Sequence, residues 1–548
     1  LILLVGIFDS CRNNNEQLQG NGVSQHSWNK EQSVVVSGTS TTLTFNALSS
    51  WTAQSSSTDL TLDQNVGKSG QITLVVTIKS TSFTNGTITI RVDGYSIPIV
   101  ITISKVASNT INYKVDEYLK EMYLWNNEYK TLSPDFSLNY DEFLENTLMS
   151  MKTNTLDKKL YGSGSNAYYS LFSFIEKEDP NLQTRTATEA KTLEYNYGFV
   201  SLLPVGVDNS SVYFFVRGVH PGSSAAQMGL KRGDAITKIN GQAITIGNWQ
   251  DSYLNLLAPS GSYLKSVTLE DKTVHTISSS PNQVNPVIYS NVKNKIGYLV
   301  YSKFDAGFDQ ELFNIFKSFK SQGITDLILD LRYNGGGDVR SADLISSCIA
   351  GSASRDQVFI QLRYNDERMK KLNNKREIEN FSYDYYENLK ASLSDGGLNL
   401  QKVYCIVTGN TASASELVIN SLRGIGVQVT LIGTQTHGKN VGMEGVELTD
   451  GSDKYLLYPI TFQSYNAKGE GDYSGGFAPT YKIDEDNLSG SGFTGYGDFG
   501  TDNDALYKKA ISLITNKAYT IPASTRSSGK ATYKAIDAPF VGRIGMIK

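Results

Sequence analysis

The stretch Lys402-Val-Tyr-Cys-Ile-Val-Thr-Gly-Asn-Thr-Ala-Ser413-Ala-Ser-Glu416 decides the fold of the largest part of this chain. Its apolar run from Val403 to Val407 predicts a buried strand, which leads through small residues into a helix that begins near Ser413. Glu416 falls in the first helical turn, where the helix dipole favours an acid. The pattern therefore places a hydroxyl at a helix N-terminus, where unpaired backbone N–H groups can stabilise a developing oxyanion.

A second stretch, Thr436-His-Gly-Lys439, follows the next predicted strand at 429–432. Because serine is a weak nucleophile, a base must take its proton before it can attack a carbonyl carbon. The two stretches together resemble the C-terminal-processing (tail-specific) serine peptidases, which use a Ser-Lys dyad. The resemblance implies that Ser413 is the nucleophile, that Lys439 is the general base, and that the core is α/β of the ClpP/crotonase type.

A lysine acts as a base only if burial depresses its pKa by about 2 to 4 units. The alternative interpretation is that Ser413 is an ordinary helix cap and Lys439 a solvated lysine. His437 is a second candidate base, because residues two apart on an extended segment share a face, and spacing does not choose between them. The family resemblance favours Lys439, with His437 as an active-site neighbour. The family often places glutamine where Met443 stands in this chain.

A further signature lies between Ile324 and Gly337, where an apolar strand ends in Asp330-Leu-Arg332-Tyr-Asn334-Gly-Gly-Gly. Glycines let a backbone approach a ligand without a Cβ atom in the way. The resemblance implies that the N–H groups of Gly336 and Ala414 hold the oxyanion. Asp330, Arg332 and Asn334 are expected to support the site, by pinning the turn through hydrogen bonds rather than by direct chemistry.

Residues 197–241 carry a different motif. Tyr197-Gly198-Phe199 precedes a predicted strand, and a Gly-Asp-x-Ile-x-x-Ile-Asn-Gly run ends at Gly241 in a hairpin signal. This part resembles a PDZ domain, in which backbone N–H groups of the first loop capture a peptide C-terminus and the next strand edge pairs with the peptide. A degenerate PDZ domain that braces the peptidase without binding peptide ends is the alternative.

The chain of 548 residues is long enough for three to four domains, and its net charge of −4 gives no electrostatic reason to expect nucleic acid. Phosphate-binding glycine loops and metal-ligand spacings are absent from the sequence, so no cofactor or metal is expected. The predicted fold is multidomain α/β and β. Its parts are a linker at 1–32, an immunoglobulin-like β-sandwich at 33–105, a helical segment at 112–178, a PDZ domain at 190–283, the peptidase at 288–520 and a tail at 521–548.

The first residues, from Leu1 to Cys11, form an apolar run too short to span a bilayer. They resemble the end of a bacterial lipoprotein signal, which implies that Cys11 is lipidated and anchors the protein at a cell envelope, facing the periplasm or the outside. The β-sandwich resembles BACON-like modules of surface proteins from Bacteroides-like gut bacteria. Its Trp51 is either a sugar platform or, as we favour, a core residue.

These observations predict a serine endopeptidase that acts on polypeptides and engages their C-termini at the PDZ domain, with membrane contact only through the lipid anchor. The alternative function is a non-catalytic surface protein that binds peptides or glycans on a relic peptidase fold. Cys348 and Cys405 lie in apolar stretches and are expected to be inert core thiols.

Overall fold

The computed structural model describes residues 32–36, 40–47, 49–80, 83–94, 98–105, 110–162, 167–178, 193–488, 493–522, 533–536 and 545–548. It divides into two compact units, one of residues up to Asp116 with Leu132–Thr147, the other of Glu117–Thr131 with Leu148–Lys548. The predicted lipoprotein signal and its Cys11 lie outside the described residues. No helix in the described ranges is long and apolar enough to cross a membrane.

The first unit contains two β-sheets whose buried side chains share one apolar cluster. Alternation of apolar and polar residues along these strands sends one set of side chains inward. Trp51 is 1% exposed within this cluster, as expected for a core residue. The immunoglobulin-like topology stays a prediction. The strands are β1 (Gln32–Val36), β2 (Ser40–Ala47), β3 (Trp51–Ser55), β4 (Leu60–Leu62), β5 (Val66–Gly67), β6 (Gly70–Ile78), β7 (Asn85–Val92) and β8 (Ile99–Lys105).

The segment predicted as helical is helical only in its first part. Three helices occur, α1 (Thr110–Met122), α2 (Asn126–Tyr129) and α3 (Tyr140–Ser150). They are followed by strands β9 (Lys158–Tyr161), β10 (Tyr168–Leu171) and β11 (Phe174–Lys177), which the sequence interpretation missed. Because β11 pairs with a strand near residue 455, its partner is far away in sequence and local periodicity carries no sign of it.

The region predicted as a PDZ domain is built on one antiparallel sheet, in the strand order β12-β18-β17-β15-β14-β13-β32, where β32 is Lys534–Ala535. Its core is a cluster of buried apolar residues that includes Leu202, Phe214 and Ile236. The elements are β12 (Leu193–Asn196), β13 (Phe199–Gly206), β14 (Val212–Val219), α4 (Ser224–Gln227), β15 (Ala235–Ile239), β16 (Gln242–Ala243), α5 (Trp249–Leu257), β17 (Tyr263–Leu269) and β18 (Val274–Gln283).

The core of the region predicted as the catalytic domain is a six-stranded sheet in the order β19-β20-β21-β25-β26-β31, parallel from β20 onward. Strands buried on both faces read as continuous apolar runs, which explains the pattern from Val403 to Val407. The elements of this layer are β19 (Val287–Lys293), β20 (Ile296–Tyr301), α6 (Asp309–Ser321), β21 (Asp326–Asp330), α7 (Val339–Ala350), β25 (Lys402–Val407), α9 (Ala414–Gly424), β26 (Gln428–Gly433), β31 (Tyr481–Lys482) and α10 (Ala505–Ile514).

A second six-stranded sheet, in the order β22-β33-β27-β30-β23-β24, lies beside the predicted site, and β11-β29-β28 form a third sheet. Strand β33 of this sheet and strand β32, which pairs with β13, come from the segment predicted as a tail. The remaining elements are β22 (Gly336–Asp338), β23 (Val358–Arg363), α8 (Asp366–Lys371), β24 (Glu377–Asn380), β27 (Val441–Met443), β28 (Val446–Asp450), β29 (Asp453–Tyr458), β30 (Ile460–Tyr465), β32 (Lys534–Ala535) and β33 (Gly545–Ile547).

Candidate active site

Ser413 lies immediately before helix α9 in a backbone conformation that L-residues rarely adopt, with φ of 61° and ψ of −112°. The side chain is fully buried, and its Oγ has no hydrogen-bond partner among the described residues. Strained residues with unpaired polar atoms cluster at functional sites, because the surrounding structure must hold them there. Ser413 occupies the N-cap position of α9, and Glu416 completes the cap by accepting from its backbone N–H.

One buried carboxylate holds the segments of Ser413 and Lys439 together. Oε2 of Glu416 accepts hydrogen bonds from the backbone N–H of Ser413 (2.9 Å) and of Lys439 (2.8 Å). Oε1 accepts from the N–H of Gly438 (2.7 Å) and the hydroxyl of Thr436 (2.6 Å). Because one oxygen contacts both backbones, the two segments that carry the candidate nucleophile and base are adjacent. The sequence indicated Glu416 only as an acid in a first helical turn.

The Lys439 ammonium sits in an apolar pocket. Its Nζ lies 4.7 Å from the centroid of the Phe172 ring and 3.9 Å from Sδ of Met443. Desolvation lowers the pKa of Lys439 to about 7, although the carboxylates of Asp157 and Glu416 act in the opposite direction. The neutral amine that a base requires is therefore populated near neutral pH. Met443, found where the family often has glutamine, itself contacts the amine.

Asp157 is the carboxylate that acts most strongly to raise the pKa of Lys439. The sequence interpretation did not find this residue. It is fully buried, and its carboxylate accepts hydrogen bonds from the Tyr123 hydroxyl (2.6 Å), the Ser173 hydroxyl (2.7 Å) and the Phe172 N–H (3.0 Å). It thereby holds in place the backbone of the residue whose ring covers the amine. The two segments are far apart along the chain, and no local motif announces Asp157.

His437 uses both ring nitrogens for structure. Nδ1 lies 3.2 Å from the Gly409 carbonyl oxygen, which only accepts, so Nδ1 carries the proton and Nε2 accepts from the Tyr161 hydroxyl at 3.2 Å. Burial and the nearby charge of Lys159 lower the pKa of His437 to about 4. The imidazole is therefore neutral and engaged, and of the two candidate bases the geometry favours Lys439.

The glycine turn after β21 is pinned by Asn334, as expected for a supporting role. Its Nδ2 donates to the Tyr301 carbonyl (2.9 Å), and its own carbonyl accepts from the N–H of Ala412 (3.0 Å) and the hydroxyl of Ser415 (3.0 Å). The turn is thus tied to the segment that carries the nucleophile. The tie is made by the main chain of Ala412 and the side chain of Ser415, one on either side of Ser413.

The predicted oxyanion role of Gly336 stays a prediction. The N–H of Gly336 donates to Oδ1 of Asn334 at 2.9 Å, so it is not free to receive an oxyanion. Asparagine side chains commonly accept the N–H two residues ahead, and here that local bond takes the donor. The N–H of Ala414 has no acceptor among the described residues, as expected for the first residue of a helix.

Asp330 and Arg332 belong to a buried ionic network rather than to the reacting centre. The Arg332 guanidinium is 1% exposed and binds carboxylate oxygens of Asp330 (2.7 Å), Asp504 (2.9 Å) and Glu485 (2.6 Å). Asp504 also caps helix α10 through its side chain. The network therefore holds the strand end that precedes the glycine turn, which fits the expected pinning role.

The same network reaches the PDZ domain. Arg232 donates to Glu485 (2.8 Å) and to the hydroxyl of Tyr333 (3.2 Å), and Tyr333 itself donates to Glu485. Although burial acts to raise it, the guanidinium groups of Arg332 and Arg232 lower the pKa of Glu485 to about 2. Tyr333 has a φ of 68°, which is a strained conformation for a residue other than glycine. Because Arg232 donates to its hydroxyl, a PDZ side chain holds this residue of the glycine turn directly.

The predicted PDZ loop has the geometry of a tight backbone turn. The carbonyls of Tyr197 and Gly198 accept from the N–H groups of Ala225 (2.9 Å) and His220 (2.8 Å). Gly198 has a φ of 102°, and a Cβ atom there would lie 1.9 Å from Oγ of Ser223. Only glycine fits this position. Phe199 is buried and begins β13.

Two family models match parts of this chain. Residues 295–483 match the family model of peptidase family S41, and residues 215–259 match that of a PDZ domain. Together with curated relatives that are carboxyl-terminal processing proteases, these matches support the C-terminal-processing peptidase family for this chain.

The individual relatives are distant. The carboxyl-terminal-processing protease of Picosynechococcus sp. is 25% identical over 304 residues, covering 54% of this chain and 65% of that protein. The carboxy-terminal processing protease CtpA of Bacillus subtilis is 25% identical over 267 residues, covering 48% of this chain and 52% of that protein. The chain thus spans between half and two thirds of the length of these relatives.

A crystal structure of a protein assigned to the S41 proteases, from Bacteroides fragilis NCTC 9343, shares the fold with a TM-score of 0.54. It is 24% identical in sequence, and the match covers 74% of this chain and 97% of that one. Mixed α/β and β architecture with PDZ and S41 peptidase domains is therefore the fold class of this protein.

Proposed function

We propose that this protein is a serine endopeptidase that cleaves polypeptides through a Ser413–Lys439 dyad. The observation that carries the proposal is that Glu416 binds the backbones of both Ser413 and Lys439. The Ser413 hydroxyl is buried without a partner among the described residues, and the Lys439 amine can lose its proton near neutral pH. An activated nucleophile needs an adjacent base and a third group that orients the pair.

In this mechanism the Lys439 amine takes the proton of Ser413 Oγ as the oxygen attacks the scissile carbonyl carbon. The resulting ammonium then protonates the departing amine, leaving an acyl-enzyme that water hydrolyses by the same steps in reverse. The N–H of Ala414 stabilises the oxyanion. The N–H of Gly336 becomes a second donor only if substrate displaces the Oδ1 of Asn334.

We also propose that the PDZ domain engages polypeptide ends at the loop Tyr197-Gly198-Phe199 and the edge of β13. Support comes from the match to a PDZ family model and from the turn geometry at Gly198. A non-catalytic surface protein that binds peptides or glycans is the alternative. A Gly336 N–H that stays bonded to Asn334 when a polypeptide binds would favour this non-catalytic function.

The direct test compares the wild-type chain with Ser413→Ala on an unfolded polypeptide, with products identified by mass spectrometry. We expect cleavage to fall by at least about 10³-fold in the variant, because the nucleophile is gone while binding is retained. Ser421→Ala is the matched control, since Ser421 is a buried hydroxyl without a partner on the same helix. Equal cleavage by wild type and Ser413→Ala would exclude Ser413 as the nucleophile.

The anchoring proposal is that Cys11 carries a lipid that holds the protein at a bacterial cell envelope. The sequence from Leu1 to Cys11 supports it. In cells given a radiolabelled fatty acid, the full-length protein is expected to incorporate label, and Cys11→Ala is expected to lose it. Equal labelling of both proteins would contradict lipidation of Cys11 and would leave the proposed peptidase activity unaffected.

A further inference from the structure

The last described segment of the chain occupies a gap in the sheet beside the active site. Strand β33 lies between β22, which begins at Gly336, and β27, which ends at Met443. It runs parallel to both, pairing Gly336 with Gly545 and Met443 with Ile547, and the Lys548 N–H donates to the Met443 carbonyl at 3.0 Å.

The two strands on either side of β33 adjoin residues of the candidate active site in sequence. Strand β22 begins at the glycine turn, and β27 begins two residues after Lys439. Neither strand pairs directly with the other, so β33 completes the sheet between them. Unpaired strand edges accept an extended polypeptide through main-chain hydrogen bonds, which is how many peptide-binding proteins hold their ligands.

The side chain of Lys548 ends in an acidic site. Its Nζ lies 2.9 Å from Oε1 of Glu377 and 2.5 Å from Oε1 of Glu379, and 3.4 Å from the hydroxyl of Tyr364. Glu377 and Glu379 are two apart on β24 and therefore share a face. Arg368, the neighbouring cation, binds Glu444 at 2.6 Å and is 3.8 Å from Glu377.

A second described piece of the chain, residues 533–536, pairs with the PDZ domain. Strand β32 pairs antiparallel with β13, joining Lys534 to Gly206 and Ala535 to Val205, and the Ile536 N–H donates to the Pro204 carbonyl at 2.9 Å. From residue 534 to 536 the chain therefore advances toward the Gly198 loop. This is the direction that a peptide takes when its end approaches such a loop.

We infer that residues 533–536 and 545–548 act as an internal polypeptide ligand that fills two strand-accepting positions, one beside β13 and one between β22 and β27. The gap between β22 and β27 is then a subsite for an extended polypeptide, and Glu377 with Glu379 selects a lysine or arginine side chain there. A substrate must displace Gly545–Lys548 to use the subsite. This inference deepens the proposed peptidase function and rests on it for the identity of the displacing polypeptide.

The test uses the full chain with Lys548→Glu, which places an acid against two glutamates and weakens the internal ligand. We expect the cleavage rate of an unfolded polypeptide to rise several-fold at unchanged thermal midpoint. The hexapeptide Arg-Ile-Gly-Met-Ile-Lys, which repeats residues 543–548, is expected to inhibit Lys548→Glu more strongly than wild type. The same peptide ending in glutamate is the control and is expected to inhibit neither.

Two results would overturn the inference. If Lys548→Glu lowers the thermal midpoint and the rate together, β33 is a structural strand and not a displaceable ligand. If neither peptide binds Lys548→Glu, the gap is not a peptide subsite.

Binding is measured separately from catalysis by fluorescence anisotropy of the labelled hexapeptide on the double variant Ser413→Ala, Lys548→Glu. Tight binding of the lysine peptide alone, with no cleavage by any variant, would leave the subsite standing while removing the proposed peptidase function. Replacing Glu377 and Glu379 by lysine in Ser413→Ala, with Lys548 kept, is expected to favour the glutamate peptide, because Lys548 then faces two cations and the charge of the site is reversed.

Discussion

Replacing Lys439 with methionine is expected to lower kcat/KM for polypeptide cleavage by at least about 10³-fold while the fold is retained. Methionine is unbranched and apolar, so it fills the space beside Phe172 and Met443 and introduces no new polar group. The base is lost, and His437 cannot take its place because both ring nitrogens are engaged.

The pH profile gives an independent check on the same residue. Lys439 must be neutral to accept a proton, and desolvation places its pKa at about 7. Below that pH the ammonium form dominates, so kcat/KM of the wild type is expected to fall about tenfold per pH unit and to level off above it. Lys439→Arg should be as inactive as Lys439→Met, since guanidinium does not lose its proton.

Steady-state kinetics on a quenched fluorescent polypeptide measures both effects, with circular dichroism as the control for folding. Residual activity above about a tenth of wild type in Lys439→Met would transfer the role of base to His437. A wild-type profile with its midpoint near pH 4 would point to the imidazole in the same way, because burial lowers the pKa of His437 to about 4.

The second large effect is on stability. Arg332→Met is expected to destabilise the protein by about 3–5 kcal/mol, because it removes the cation while the carboxylates of Asp330, Asp504 and Glu485 remain buried. Urea unfolding followed by circular dichroism measures the loss. Arg355→Met is the matched control, since its ion pair with Asp384 is exposed and contributes little.

Two further results would show whether uncompensated buried carboxylates cause the loss of stability in Arg332→Met. Adding Asp504→Asn to Arg332→Met is expected to recover part of the loss, because one uncompensated charge is then removed. An Arg332→Met protein as stable as wild type would mean that the carboxylates take up protons or water at no net cost, and would contradict a pinning role for Arg332.

Part of the site could be predicted from local pattern. The helix begins at Ala414 directly after Ser413, and the strand before it covers Lys402–Val407, as the sequence indicated. The matched family models support the expected peptidase and PDZ domains. These features depend on residues close together in sequence, where periodicity and capping preferences are informative.

Other parts could not be predicted, because they depend on pairing between distant segments. Strands β9 to β11 were expected to be helical, and β32 and β33 were expected to be a tail. The role of the Gly336 N–H was assigned from resemblance, whereas the Asn334 side chain takes that donor. The pocket of Lys439 is closed by Phe172, more than two hundred residues away in the chain.

The identity and order of the candidate catalytic groups follow from the sequence alone. So do the strand, turn and helix around Ser413, because they depend on residues close together in the chain. Tertiary structure alone decided the properties that make those groups reactive. Desolvation of the Lys439 amine, the shared carboxylate of Glu416 and the filling of sheet edges by Gly545–Lys548 all arise from atoms that are distant in sequence. Burial, charge and strand pairing depend on what surrounds a residue in space, and the linear pattern does not contain that information.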